Sequence, residues 1–118
     1  MWRIKKNLAS LILYLELSKL LIKTLQREIA NFEDGKQVIR SSGSIGANYI
    51  EANESLGDKD TLKGLKISRK EANETIYRLT ILERTNPDKS KEITKLNDEA
   101  IELKKNLSAI IIKLSNKE

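Results

Sequence analysis

The sequence predicts an all-α protein, an up-down-up-down antiparallel four-helix bundle. Aliphatic residues recur at alternating intervals of three and four along four separate stretches, the spacing of a helix packed in a bundle. The composition agrees: 33% of residues are charged, only 4% are aromatic, and there is a single Pro in 118 residues. The breaks between the stretches are short, which forces consecutive helices to run antiparallel. A chain of this length forms one domain, 1–118, hiding about two-thirds of the surface that its unfolded form exposes, so metals and crosslinks are not needed.

The first helix is expected over about residues 3–32. Ile4, Leu8, Leu11, Leu15, Ser18, Ile22, Leu25, Ile29 and Phe32 form its seam, and Asp34-Gly35 is read as the breaker. A second stripe, Leu13, Leu17, Leu20 and Leu21, lies off that seam. The second helix is expected over about 36–56, with Val38, Ser42, Ile45, Tyr49, Ala52 and Leu56 inward. Its stretch Ser41-Ser42-Gly43-Ser44-Ile45-Gly46-Ala47 is a weak helix former, and a loop is the alternative. Helix is favoured because the register passes through unbroken, and small residues suit a closely approaching neighbour.

Gly57-Asp58 separates the second and third helices, with Asp58 or Asp60 as the expected N-cap. The third helix, about 59–85, directs Leu62, Leu65, Arg69, Ala72, Ile76, Leu79 and Leu82 inward. Arg69 on an apolar seam calls for a partner. Pro87 within Asn86-Pro87-Asp88 makes the sharpest break. The fourth helix, about 89–115, keeps Ile93, Leu96, Ala100, Leu103, Leu107, Ile110 and Leu114 in register, with Ile101, Ile111 and Ile112 off it. Helices one and four thus carry more large aliphatics than one seam buries. Burying such a side chain is worth roughly 1.5–3 kcal/mol, and large exposed apolar patches usually mark an interface. A homo-oligomer is expected.

The sequence has no Cys and no His. Thiol nucleophiles, imidazole bases and the usual zinc sites are therefore excluded, and no catalytic residue, cofactor or metal site is expected. The lack of Cys fits a cytoplasmic protein. The run from Leu8 to Leu25 is interrupted by Ser10, Tyr14, Glu16, Ser18, Lys19 and Lys23, too polar to span a membrane. Net charge is +5, unevenly spread: residues 1–31 carry six Lys/Arg against two acids, and 32–57 two against four.

Two groups of polar residues stand out. Lys59, Lys63, Lys66 and Lys70 recur at 4-3-4 on the third helix, and Lys19, Lys23 and Arg27 line one face of the first. Such a stripe is ordinarily a solvated face; its functional reading is a surface that contacts the phosphates of RNA or DNA. Trp2, Tyr14, Phe32, Tyr49 and Tyr77 are scattered, so no stacking platform for single strands is expected. Asn48 and Glu51, with Arg69, Glu71 and Glu74 and with Arg40 joining them, form a polar constellation in which Arg69 reaches Glu51. It is read first as a network that fixes helix register, ahead of any ligand role.

The run Arg40-Ser41-Ser42-Gly43-Ser44-Ile45-Gly46-Ala47-Asn48-Tyr49-Ile50-Glu51-Ala52, with Lys66-Ile67-Ser68-Arg69-Lys70-Glu71-Ala72-Asn73-Glu74-Thr75-Ile76-Tyr77-Arg78-Leu79, carries a resemblance. These motifs resemble those of the bacterial four-helix-bundle proteins first noticed in intervening sequences of 23S ribosomal RNA genes. That family is similar to the accessory variability proteins of diversity-generating retroelements, which form a barrel-shaped homopentamer that binds nucleic acid and a reverse transcriptase. The resemblance implies a homopentamer, a nucleic-acid ligand and a reverse transcriptase as partner. The expected function is a non-enzymatic oligomeric binding protein; the alternative is a protein-interaction scaffold without nucleic-acid affinity.

Overall fold

The computed structural model describes the backbone of residues 8–117 and the side chains of 9–116. The described residues form four α-helices and no strand: α1 (Leu8–Lys23), α2 (Ile29–Asn53), α3 (Asp58–Thr85) and α4 (Ser90–Lys117), the last preceded by a 3-10 turn at Pro87–Lys89. The expected start of the first helix at Arg3, its seam position Ile4, and Trp2 lie outside the described residues.

Among the described residues the helices close a ring in which α1 meets α2 and α4 and α3 meets α2 and α4, with no close backbone approach between the diagonal pairs. Contacts between α2 and α3 run in opposite senses: Asp34 meets Arg78, Ser41 meets Thr75, the Ile45 carbonyl meets Ser68. The same holds between α3 and α4, where Thr80 meets Asn97 and Arg69 meets Ser108. Consecutive helices are therefore antiparallel, as short connections require.

Alternating three- and four-residue spacing decides what is buried. Val38, Ser42, Ile45, Tyr49 and Ala52 of α2 are all buried, as are Leu65, Ala72, Leu79 and Leu82 of α3 and every expected seam residue of α4 from Ile93 to Leu114. The serine- and glycine-rich stretch of α2 is helical. Its hydroxyls explain why it is tolerated: Ser41 Oγ lies 2.7 Å from Thr75 Oγ1, and Ser68 Oγ donates to the Ile45 carbonyl at 2.7 Å. These buried polar groups are satisfied across the helix pair rather than left unpaired. From α1, Leu11, Tyr14 and Ser18 enter the core, joined by Leu25 of the following connection. Tyr14 donates to the Leu96 carbonyl at 3.3 Å, and burial raises its phenol well above the ordinary value.

The first connection departs from expectation. The first helix ends at Lys23, and α2 begins at Ile29 and runs straight through Asp34-Gly35. The break falls at residues 24–28, where the amides of Thr24 and Leu25 bond three residues back to the carbonyls of Leu21 and Ile22. Asn31 then fixes the connection by donating to the Gln26 carbonyl at 3.0 Å and exchanging amide hydrogen bonds with Asn86 at 2.9 Å. Gly35 marks a close approach instead of a stop: a Cβ there would sit 2.7 Å from Ile22 Cγ2. Because the chain reverses at 24–28, Ile29 and Phe32 leave the seam and are 82% and 67% exposed.

Two smaller corrections concern the second connection. Leu56, expected inward, follows the end of α2 at Asn53 and is fully exposed. The N-cap of α3 is Gly57, without a side-chain cap; Asp58 and Asp60 instead occupy the first turn, where their charge suits the helix dipole.

Candidate nucleic-acid interface

Lys59, Lys63, Lys66 and Lys70 are all exposed on α3. At about 100° per residue they cluster directly opposite Leu65, Ser68, Ala72 and Leu79, the residues that α3 buries. Among the described residues no ion pair engages any of the four lysines. The rise of an α-helix makes the ladder about 17 Å long. The face continues past Lys70, because Tyr77 and Arg84 follow at further seven-residue steps and both are exposed. Of the other aromatics, Tyr14 and Tyr49 are buried, whereas Phe32 sits at the start of α2.

The companion stripe is shorter than the spacing implied. Lys19 and Lys23 are exposed on α1, but Arg27 belongs to the connection at 24–28, so it does not continue their helical face. Helices α1 and α3 are diagonal, so the two basic stripes stand on opposite sides of one bundle. They cannot form one continuous surface within a single chain.

The polar constellation separates into parts. Arg40 pairs with Glu74 and, at 3.2 Å, with Glu71, while its Nε donates to Gln37 at 3.0 Å. Burial opposes the charge of Arg40, but the hydrogen bonds it donates to Glu71 and Glu74 and their negative charge outweigh it and raise its pKa. Arg69 does not reach Glu51: it turns to α4, with Nη1 3.5 Å from Ser108 Oγ, whereas Glu51 is exposed. Asn48 donates to the Ser44 carbonyl of its own helix at 2.8 Å. A third ion pair, Arg78 with Asp34 at 3.2 Å, joins the same two helices outside the expected constellation. These bonds tie α2 to α3 and α3 to α4 on the surface of the bundle, a register-fixing role.

The α1–α4 seam is the opposite in character. Here an open groove of about 790 Å³ is lined by the apolar Leu17, Leu20, Leu21 and Leu96 and by charged residues of both signs, Glu92, Asp98, Glu99 and Glu102 with Lys89 and Lys95. With four carboxylates against two ammonium groups the lining is net acidic, which suits an apolar or basic protein surface better than a polyanion. Among the described residues no group of three or more acidic side chains is gathered so as to hold a metal ion. No described helix is long and apolar enough to cross a membrane.

The sequence profile of the family described as 23S rRNA-intervening sequence protein matches residues 8–109. The chain belongs to that family. A solved structure agrees: a protein with unknown function from the S23 ribosomal protein family of Bacteroides thetaiotaomicron is 34% identical, with a TM-score of 0.73. The match covers 90% of this chain and 94% of that one. No curated protein matches significantly. In this member of the 23S rRNA-intervening sequence family, the two motifs read from the sequence meet at the α2–α3 contact. Ser41 and Ile45 of the first face Thr75 and Ser68 of the third helix, and Arg40 pairs with Glu71 and Glu74. The motifs therefore mark a packing surface. Tyr77 alone among their aromatic residues points outward, at 60% exposure, onto the lysine face. The signal for it was present in the even spacing of Lys63, Lys70, Tyr77 and Arg84, which becomes visible once the outer face of α3 is known.

Proposed function

We propose that the protein is a non-enzymatic, self-associating binding protein that contacts nucleic acid, RNA foremost, through the outer face of α3. The observation that carries the reading is the ladder of four exposed lysines opposite the core, with no ion pair to neutralise them among the described residues. The family's description, which refers to 23S rRNA, supports RNA as the ligand. Self-association is supported by the exposed aliphatic face of α1, and a ring of copies multiplies one short ladder into an avid surface. The homopentamer and the reverse-transcriptase partnership rest on the sequence resemblance. One observation favours a second reading, a protein-interaction scaffold without nucleic-acid affinity: the net acidic groove between α1 and α4.

Fluorescence anisotropy with labelled RNA and DNA at two salt concentrations separates the two. A strand neutralised by four lysines releases counterions, so affinity is expected to fall about fiftyfold between 50 and 200 mM salt for each copy engaged. Reversing Lys63, Lys66 and Lys70 to Glu is expected to abolish binding while leaving helicity and native mass unchanged. Undiminished binding by that triple variant removes α3 as the contact surface, and no binding even at low salt leaves the scaffold reading.

A further inference from the structure

The outer face of α3 is not uniformly basic. Lys63, Lys70, Tyr77 and Arg84 recur every seven residues, so each falls within about 20° of the one before it around the helix. An aromatic ring thus interrupts a column of cations. The ring is 60% exposed, although a phenol of this size in a helix with a continuous buried seam has no packing reason to stand there. It is also held: the Arg78 guanidinium lies over the Tyr77 ring, 5.5 Å from its centroid, and is anchored from α2 by Asp34 at 3.2 Å. The guanidinium backs the ring, whose exposed part stands on the same face of α3 as Lys70, about 10 Å further along the axis.

We propose that Tyr77 is a base-stacking anchor within the α3 basic track, which makes single-stranded nucleic acid, rather than duplex, its preferred ligand. The inference rests on the nucleic-acid reading above and deepens it. Duplex bases are stacked on one another and hidden from a helix lying along the backbone, so Tyr77 gains nothing from a duplex. An unpaired strand offers base faces. A stacked strand advances about 3.4 Å per nucleotide, so about five phosphates span the lysine ladder from Lys59 to Lys70. The next bases along the strand then come level with Tyr77. Stacking on a ring is tolerant of base identity, because every base has a π-face. Binding without sequence preference but with strand preference is the result.

The test compares the intact chain with Tyr77→Ala and Tyr77→Phe, using a labelled single-stranded 15-mer, as RNA and as DNA, and the duplex of the same sequence. Tyr77→Ala is expected to weaken single-strand binding by between about fivefold and a hundredfold, the span seen when stacking aromatics are removed. The loss is the same at every salt concentration, because the lysine contacts and hence the salt slope remain. Tyr77→Phe restores affinity, and duplex binding is unaltered by either substitution. Wild-type binding to single strand and duplex alike, with Tyr77→Ala indistinguishable from it, overturns the stacking role and leaves the basic face intact. Failure of the wild type to bind any of the probes overturns the nucleic-acid reading itself. A change in native mass on Tyr77→Ala also overturns the inference, because the ring then packs between copies of the chain.

Discussion

Single residues set how closely the helices approach, and glycine is the sharpest instance. In the interior of a helix, Gly→Ala is worth about 0.5–1 kcal/mol in its favour, provided the new methyl has room. At Gly43 the room exists: a Cβ would lie 3.7 and 3.8 Å from the two Leu15 methyls, an ordinary contact. At Gly64 it does not, because the Cβ would sit 2.9 Å from Ala52 Cβ and 3.2 Å from Ala52 Cα, atoms that cannot move without moving α2. Gly43→Ala is therefore expected to raise stability by about 0.5–1 kcal/mol. Gly64→Ala should lower it by about 1–3 kcal/mol, the usual cost of overpacking. Urea unfolding at matched protein concentration reads both from the shift in midpoint at unchanged slope. Equal stability of the two variants is incompatible with an α2–α3 contact held as closely as Ala52 and Gly64 imply.

At the scale of elements, the helices are unequally held. The α2–α3 and α3–α4 pairs pack along their lengths, whereas α1 leans on α2 and touches α4 sparingly beside the open groove. Local stability follows buried contact. Amides of α1 are thus expected to exchange hydrogen fastest at low protein concentration, and those of α3, flanked on both sides, slowest. Raising the concentration should slow α1 selectively if copies meet on its outer face; exchange by mass spectrometry resolves the two helices. Uniform protection at all concentrations speaks against both parts of the argument. The same inequality explains what was legible beforehand. The second, third and fourth helices each bury one main stripe, so their periodicity identified most core residues from Val38 to Leu114; Leu56 is exposed instead, and Ile111, expected off the seam, is buried. The first connection misled because Ile29 and Phe32 continue the spacing of α1 while lying beyond a chain reversal. Periodicity reports which residues share a face, not whether the backbone between them is continuous. Asp34-Gly35 looked like a stop because a glycine required by the close approach of Ile22 has the same letter as a glycine that caps a helix. The lysine ladder needed only one helix and was readable. Arg69 meets Ser108 rather than Glu51 because it lies on the flank of α3 that faces α4, and spacing along one helix does not encode which flank faces which neighbour.

For the whole molecule, the decisive quantity is the aliphatic surface left over when the ring of four helices closes. On α1, Leu13 and Leu20 remain 54% and 57% exposed, Ile12 and Leu17 are exposed in part, and Ile29 and Phe32 are exposed at the start of α2. Each such side chain contributes about 1.5–3 kcal/mol when fully buried, so a few of them per contact are enough to hold copies together at modest concentration. The lone bundle gains nothing from them. Replacing Leu13 and Leu20 by Gln removes the apolar surface without adding to the carboxylates of α4, and Gln keeps good helix propensity. The wild type is expected to sediment as a multiple of its 13.4 kDa chain, and the double variant as a single chain with unchanged helicity. Because avidity multiplies a weak site only when copies are joined, the double variant should also bind RNA more weakly while its Lys63, Lys66 and Lys70 remain in place. A wild type that sediments as one chain at every concentration leaves each α3 ladder to act alone, and the affinity of the wild type and the variant must then coincide.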